Sequence, residues 1–227
     1  MRAAVLGAIA LALPLTASAG PHHAVHALPG SPFSDAIMQP PKRPSTSGPI
    51  AFANISNVIF VNPCLPNGCT VRPGADNAQT NTSSIANQQA LLQGFPHGQE
   101  KWNELMACVR GLYAPFDIVV TDVDPGNAPH HEVMVAGNAA DLDMQGAGGV
   151  APFIPCGGQL EDNIISFVFS AQTDSIDFMC WAVAQESSHV FGLDHELLAK
   201  DPLTYLTPPI RKPGFQNVTA KCGEHLR

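Results

Sequence analysis

The order of elements predicted from the sequence is that of an α+β domain (α/β/α-like), a mixed twisted sheet backed by two helices. Three observations carry this expectation. An apolar, β-branched run at Asn57–Val61 precedes a helix whose one face is Trp102, Leu105, Met106, Val109 and Leu112. Short strand-like runs follow at Phe116–Val120, Glu132–Ala136 and Ile164–Phe169. A second helical pattern then places Ile176, Met179, Cys180, Val183 and Val190 on one stripe and Ala182, Gln185, Glu186 and His189 on another.

Taken in order, residues 1–19 read as a secretory signal peptide. Arg2 is followed by an apolar run from Ala3 to Leu15 and a small-residue cleavage site at Ala17-Ser18-Ala19. No later stretch is apolar for long enough to span a bilayer. Residues 20–49 are rich in Pro, Ser and His without a hydrophobic period, which suits a flexible leader or short pro-segment. Its His22, His23 and His26 are expected to be solvated linker residues. The folded domain is expected over 50–227. Its first strand ends at Pro63, and Cys64–Ser84 reads as a polar loop. Pro115 closes the first helix, Asp124-Pro125-Gly126-Asn127 forms a turn, and a glycine-rich loop, Gly146–Gly149, precedes Val150 and Ala151.

Eleven basic against nineteen acidic residues give a net charge of −8, and losing Arg2 with the leader peptide makes it 10 − 19, or −9. An acidic chain without a basic stripe argues against nucleic acid or anionic membranes as partners. The expected location is secreted, extracellular or periplasmic. Six cysteines in an exported chain read as disulfides, of which only Cys64–Cys69, around a Pro-Asn-Gly turn, is locally predictable. Cys222 is expected to tie the C-terminal segment back.

Several other chemistries find little footing. The glycine loop neither follows the right strand nor opens a helix with dinucleotide-binding spacing, and no Gly-x-Ser-x-Gly elbow is present. Ser187 and Ser188 read as small helix residues. Asp122 and Asp124 fit a solvated turn better than a calcium site, which needs six or more oxygens. Sequons at Asn54, Asn81 and Asn217 have meaning only in a glycosylating host.

The densest chemistry lies in Gln185-Glu186-Ser187-Ser188-His189-Val190-Phe191-Gly192-Leu193-Asp194-His195. Residues four apart on a helix are neighbours, so Gln185 and His189 can address one atom. Gly192 is the expected helix stop, since glycine enters the left-handed region without a Cβ penalty. The chain can then return His195 to the same point. Two imidazoles and a helical glutamate converging in this way suggest a metal site with a general base.

In Glu186, His189, Gly192 and His195 the chain resembles the metzincin metalloproteases, whose motif is H-E-x-x-H-x-x-G-x-x-H followed by a methionine-containing turn. Glu196 after the last histidine is similar to the astacin version. Asp201-Pro202-Leu203-Thr204-Tyr205 resembles the Met-turn, with Tyr205 where astacins and serralysins keep a tyrosine near zinc. Two positions depart: Gln185 stands for the first histidine and Leu203 for the methionine. The second change is an apolar swap of similar volume.

The resemblance implies a secreted zinc-dependent endopeptidase acting on peptide or protein substrates, with one catalytic Zn²⁺. Glu186 is then the general base, His189 and His195 are ligands with Gln185 as a weaker oxygen donor, and Tyr205 steadies the oxyanion. Gly192 and Leu203 are structural. His130 or His131 is a conceivable substitute ligand, although an ordinary surface pair is the simpler expectation. The alternative is a metzincin-fold protein without catalysis, acting as a binding module. Retention of Glu186 beside both histidines favours the enzyme.

Overall fold

The computed structural model describes residues 22–25, 55–152, 154, 160–205 and 214–223. The predicted signal peptide, the sequon at Asn54 and Cys156 lie outside them. The architecture is mixed α+β, with two α-helices and two sheets among the described residues. The six-stranded sheet has the order β1-β8-β9-β7-β2-β6. Its members are β1 (His22–Val25), β2 (Val58–Asn62), β6 (Val119–Thr121), β7 (His131–Val135), β8 (Gly149–Pro152) and β9 (Ile165–Val168). Strands β6, β2, β7 and β9 run parallel, and β8 and β1 are added antiparallel at one edge. A small sheet, β4-β3-β5, is formed by β3 (Cys69–Pro73), β4 (Thr82–Ser83) and β5 (Ala90–Leu92).

Alternation along the strands divides the core in two. Ile59, Val61, Val133, Val135 and Val168 face the helices α1 (Gly98–Tyr113) and α2 (Ile176–His189). Met134, Val150, Ile165 and Phe167 face the opposite way, against Val71 and Leu92 of the small sheet. The helices are joined by the Cys108–Cys180 disulfide, which closes a separation of 72 residues. Chain-entropy reasoning gives such a link about 4 kcal/mol. Tyr113 adds a polar clamp, its hydroxyl lying 2.6 Å from Ser187 Oγ and donating or accepting among Ser187, Ser188 and the Ala184 carbonyl. Among the described residues, no helix is long and apolar enough to cross a membrane.

The fold corrects several of these expectations. The Cys64–Ser84 stretch is not a plain loop: it supplies β3 and β4. These strands are short and rich in turn residues, so periodicity hides them. The strand expected at Phe116–Val120 starts later, at Val119, and Phe116 is half exposed. The glycine loop continues directly into β8. The leader, expected to be without structure, contributes β1. On α2 every residue but Asp177 is buried, so two separate faces do not exist: sheet, α1 and the C-terminal segment cover it all round. His130 and His131 are buried, not a surface pair. Cys64–Cys69 forms as expected, whereas among the described residues Cys222 has no disulfide partner. Backbone bonds do its tethering, Leu197 N donating to Lys221 O and Gly223 N to His195 O.

Candidate functional site

The site is built on the last turns of α2 and the loop after it. Ser175 caps the helix at its start, its hydroxyl accepting from Phe178 N at 3.2 Å. At the other end Gly192 takes φ +77°, as a glycine stop requires. Gly192 N donates to His189 O and Leu193 N to Ser188 O, the paired bonds of a Schellman ending. This reversal returns the Leu193 carbonyl to the His189 ring, 2.7 Å from Nδ1. A carbonyl only accepts, so Nδ1 carries the hydrogen and the neutral ring keeps its lone pair at Nε2.

That lone pair points at His195. The two Nε2 atoms are 3.0 Å apart, and both side chains are buried. His195 is held by several backbone bonds: its N–H donates to Asp194 Oδ1, its carbonyl accepts from Gly223 N, and the adjacent Glu196 N donates to Leu203 O. The turn at 201–205 is itself laced by Asp201, whose carboxylate accepts from Leu203 N and Gln216 N. Leu203 is buried there. Tyr205 lays its ring 4.4 Å from that of His195 and 6.3 Å from that of Trp181. The structure therefore brings His189, His195 and Tyr205 together.

Gln185 and Glu186 sit one turn earlier on α2. Both are fully buried, and among the described residues neither the Gln185 amide nor the Glu186 carboxylate has a hydrogen-bond partner. Burial drives the Glu186 carboxyl well above the usual carboxylate range, because no donor or positive charge compensates the lost water. Glu186 lies under β8: a Cβ added at Gly149 would come within 2.9 Å of Glu186 Cγ and 2.8 Å of the Phe167 carbonyl oxygen. Gly149 is thus a strand glycine required by close approach. Periodicity gave no reason to single it out; a glycine inside an apolar strand-length run was the available signal.

Do these residues fit a metal? Two imidazole nitrogens on one tetrahedral zinc at about 2.0–2.1 Å stand about 3.3 Å apart. The observed 3.0 Å needs little adjustment, and the Leu193 carbonyl behind His189 is the usual outer partner of a ligating imidazole. A buried amide and a buried carboxylate without partners are polar atoms that an ion or a water would satisfy. The two imidazoles are of the donor type that zinc takes. Among the described residues, no group of three His, Cys, Asp or Glu side chains converges. Two imidazoles, His189 and His195, are what these residues bring together.

The other candidates are accounted for by structure. His131 faces the helices from β7, its ring 5.0 Å from that of Phe191, with both nitrogens unpartnered. Burial lowers its pKa to about 4, only partly opposed by the Asp162 charge. His130 gives Nδ1–H to the Ala128 carbonyl and packs on Phe60. Neither joins His189 and His195 in a three-ligand group. Asp122 is engaged by Trp102 Nε1 and Arg110. Comparison with family models, with curated proteins and with solved structures finds no match to this chain.

Proposed function

We propose that the chain is an exported zinc-dependent endopeptidase of metzincin type. The observation that carries this reading is the approach of His189 Nε2 and His195 Nε2 to 3.0 Å, one turn from two consecutive buried polar side chains without partners. His189, His195 and Gln185 would hold the ion. When bound, zinc supplies Lewis acidity toward water and a peptide carbonyl. The chain's own residues do the rest. The Leu193 carbonyl fixes the His189 tautomer. Glu186, buried and with its proton affinity raised, takes a proton from the attacking water and returns it to the leaving amine. Tyr205, packed on His195, donates to the developing oxyanion.

Elemental analysis of the mature protein tests this. About one zinc per chain is expected, lost in His189→Ala; Glu186→Ala should keep the metal and lose hydrolysis. A second reading, a binding module of the same fold without catalysis, is favoured by the amide in place of a third imidazole. Folded protein without zinc would sink the enzyme and leave that reading.

A further inference from the structure

A ladder of aromatic rings climbs α2 and ends on His195. Phe178 and Trp181 stand three residues apart and so are neighbours on the helix; their ring centroids are 5.7 Å apart at 63°. Trp181 meets Tyr205 at 6.3 Å and 67°, and Tyr205 meets His195 at 4.4 Å and 55°. Trp181 also stands four residues before Gln185 and eight before His189, on the helix stripe that leads into the site.

The rungs differ in what holds them. Phe178 and Trp181 belong to a helix that is tied to α1 through Cys180, the residue next to Trp181. Behind Phe178 lies Gly148, where an added Cβ would collide with Phe178 Cζ, and the Gly148 carbonyl is itself engaged by Phe169 N. The Trp181 indole, buried in the helix layer, thus leans on a ring that cannot recede. Tyr205 is placed otherwise. It is partly buried and stands one residue beyond the bonds from Leu203 N to Asp201 Oδ1 and from Thr204 N to the Asp201 carbonyl. A ring on a turn takes its orientation from what it packs on, and an edge-to-face contact sets angle as well as distance. The helix-borne indole is the fixed partner, and the phenol is the one positioned.

We propose that Trp181 is a positioning residue that acts through Tyr205, holding the phenol ring on His195. The proposal rests on the peptidase reading for what the phenol then does, which is to donate to the oxyanion.

The chain has two tyrosines and two tryptophans, so each ring can be followed separately. Fluorine NMR of the fluorotyrosine-labelled mature protein should give one signal for Tyr113 and one for Tyr205, assigned with Tyr113→Phe. Tyr113 reports the fold, because its hydroxyl is bonded between α1 and α2. In Trp181→Leu the Tyr205 signal should move at least halfway to its position in the urea-unfolded chain while that of Tyr113 stays, and Trp181→Phe should recover most of the shift. A Tyr205 signal unmoved in Trp181→Leu overturns the proposal. Should that variant lose the Tyr113 signal by unfolding, the reciprocal measurement decides. In fluorotryptophan-labelled Tyr205→Leu the Trp181 signal should move and that of Trp102, whose Nε1 is held by Asp122, should not; an unmoved Trp181 signal overturns the contact.

Hydrolysis of an unfolded protein substrate is read on the same samples. In Trp181→Leu kcat should fall about three- to tenfold, the scale of one aromatic contact, with KM within about twofold of the parent. In a Tyr205→Phe background the same substitution should cost less than about twofold, since the group it positions is already gone. Equal losses in both backgrounds would show a merely structural role and overturn the proposal. A parent that hydrolyses nothing while the ring signals move as stated keeps the positioning and counts against the peptidase.

Discussion

Replacing Glu132 by glutamine should flatten part of the pH dependence of stability, and the size of the effect follows from one buried carboxyl. Glu132 faces the small-sheet side of β7 and is 1% exposed. Burial raises its carboxyl to about 8 from an ordinary 4.5; the Asn62 amide, 2.7 Å from Oε1, pulls it down in part, and the Asp124 charge adds to the rise. The folded state thus keeps a proton that the unfolded chain has lost above pH 4.5. Its stabilising contribution is complete below that pH and is lost as pH rises through 8. Three and a half units correspond to about 5 kcal/mol at most, a third or more of the stability of an ordinary domain. Glutamine presents the same oxygen to Asn62 and does not titrate. Denaturant unfolding of both proteins at pH 5, 7 and 9, with disulfides intact, measures the difference. Titrations common to both cancel, so the variant should gain on the parent by several kcal/mol between pH 5 and 9. Parallel stability curves would refute the idea that this carboxyl is neutral in the fold.

Two further predictions concern neighbours of the site. His131 carries the opposite sign, because burial lowers its pKa to about 4 from 6.5. Its stabilising contribution is present above 6.5 and lost as pH falls to 4, about 3 kcal/mol in all; His131→Leu should shift the acid-unfolding midpoint, followed by near-ultraviolet dichroism, to lower pH. Gly149→Ala should cost about 1–3 kcal/mol in urea unfolding, since its Cβ meets the Phe167 carbonyl and Glu186. In a Glu186→Ala background the penalty should shrink, and an unchanged penalty would place the clash on Phe167 alone.

Much of the local structure was legible because it depends on neighbours in sequence. The stripe Trp102, Leu105, Met106, Val109, Leu112 is the buried face of α1, and the Gly192 stop forms with the expected positive φ. The approach of His195 to His189 could be anticipated from six residues of spacing and a glycine between them. The Cys64–Cys69 bridge spans a short turn and was equally local. Cys108–Cys180 was not, because six cysteines allow many pairings and only the packing of α1 on α2 selects this one.

Misreadings have the same origin. Helical periodicity on α2 suggested two faces, but burial all round depends on what the sheet and α1 place against it. The His130–His131 pair looked exposed because histidine usually is; the parity of β7 turns His131 into the helix layer. β3, β4 and β5 are two to five residues long, too short for a period to register.

By itself, then, the sequence determined the local spacing along α2 and its loop: which polar side chains stand four and six residues apart, where the helix stops, and that a glutamate stands three residues before His189. Those are properties of helix pitch and of glycine's backbone freedom, and they need no partner element. Only the tertiary structure decided that Gln185 and Glu186 are sealed from water without partners, that Gly149 makes room for the carboxylate, and that the leader pairs with β8 at that edge. Desolvation, close packing and strand pairing are relations between segments more than a hundred residues apart in the case of β1 and β8, and no local pattern encodes them.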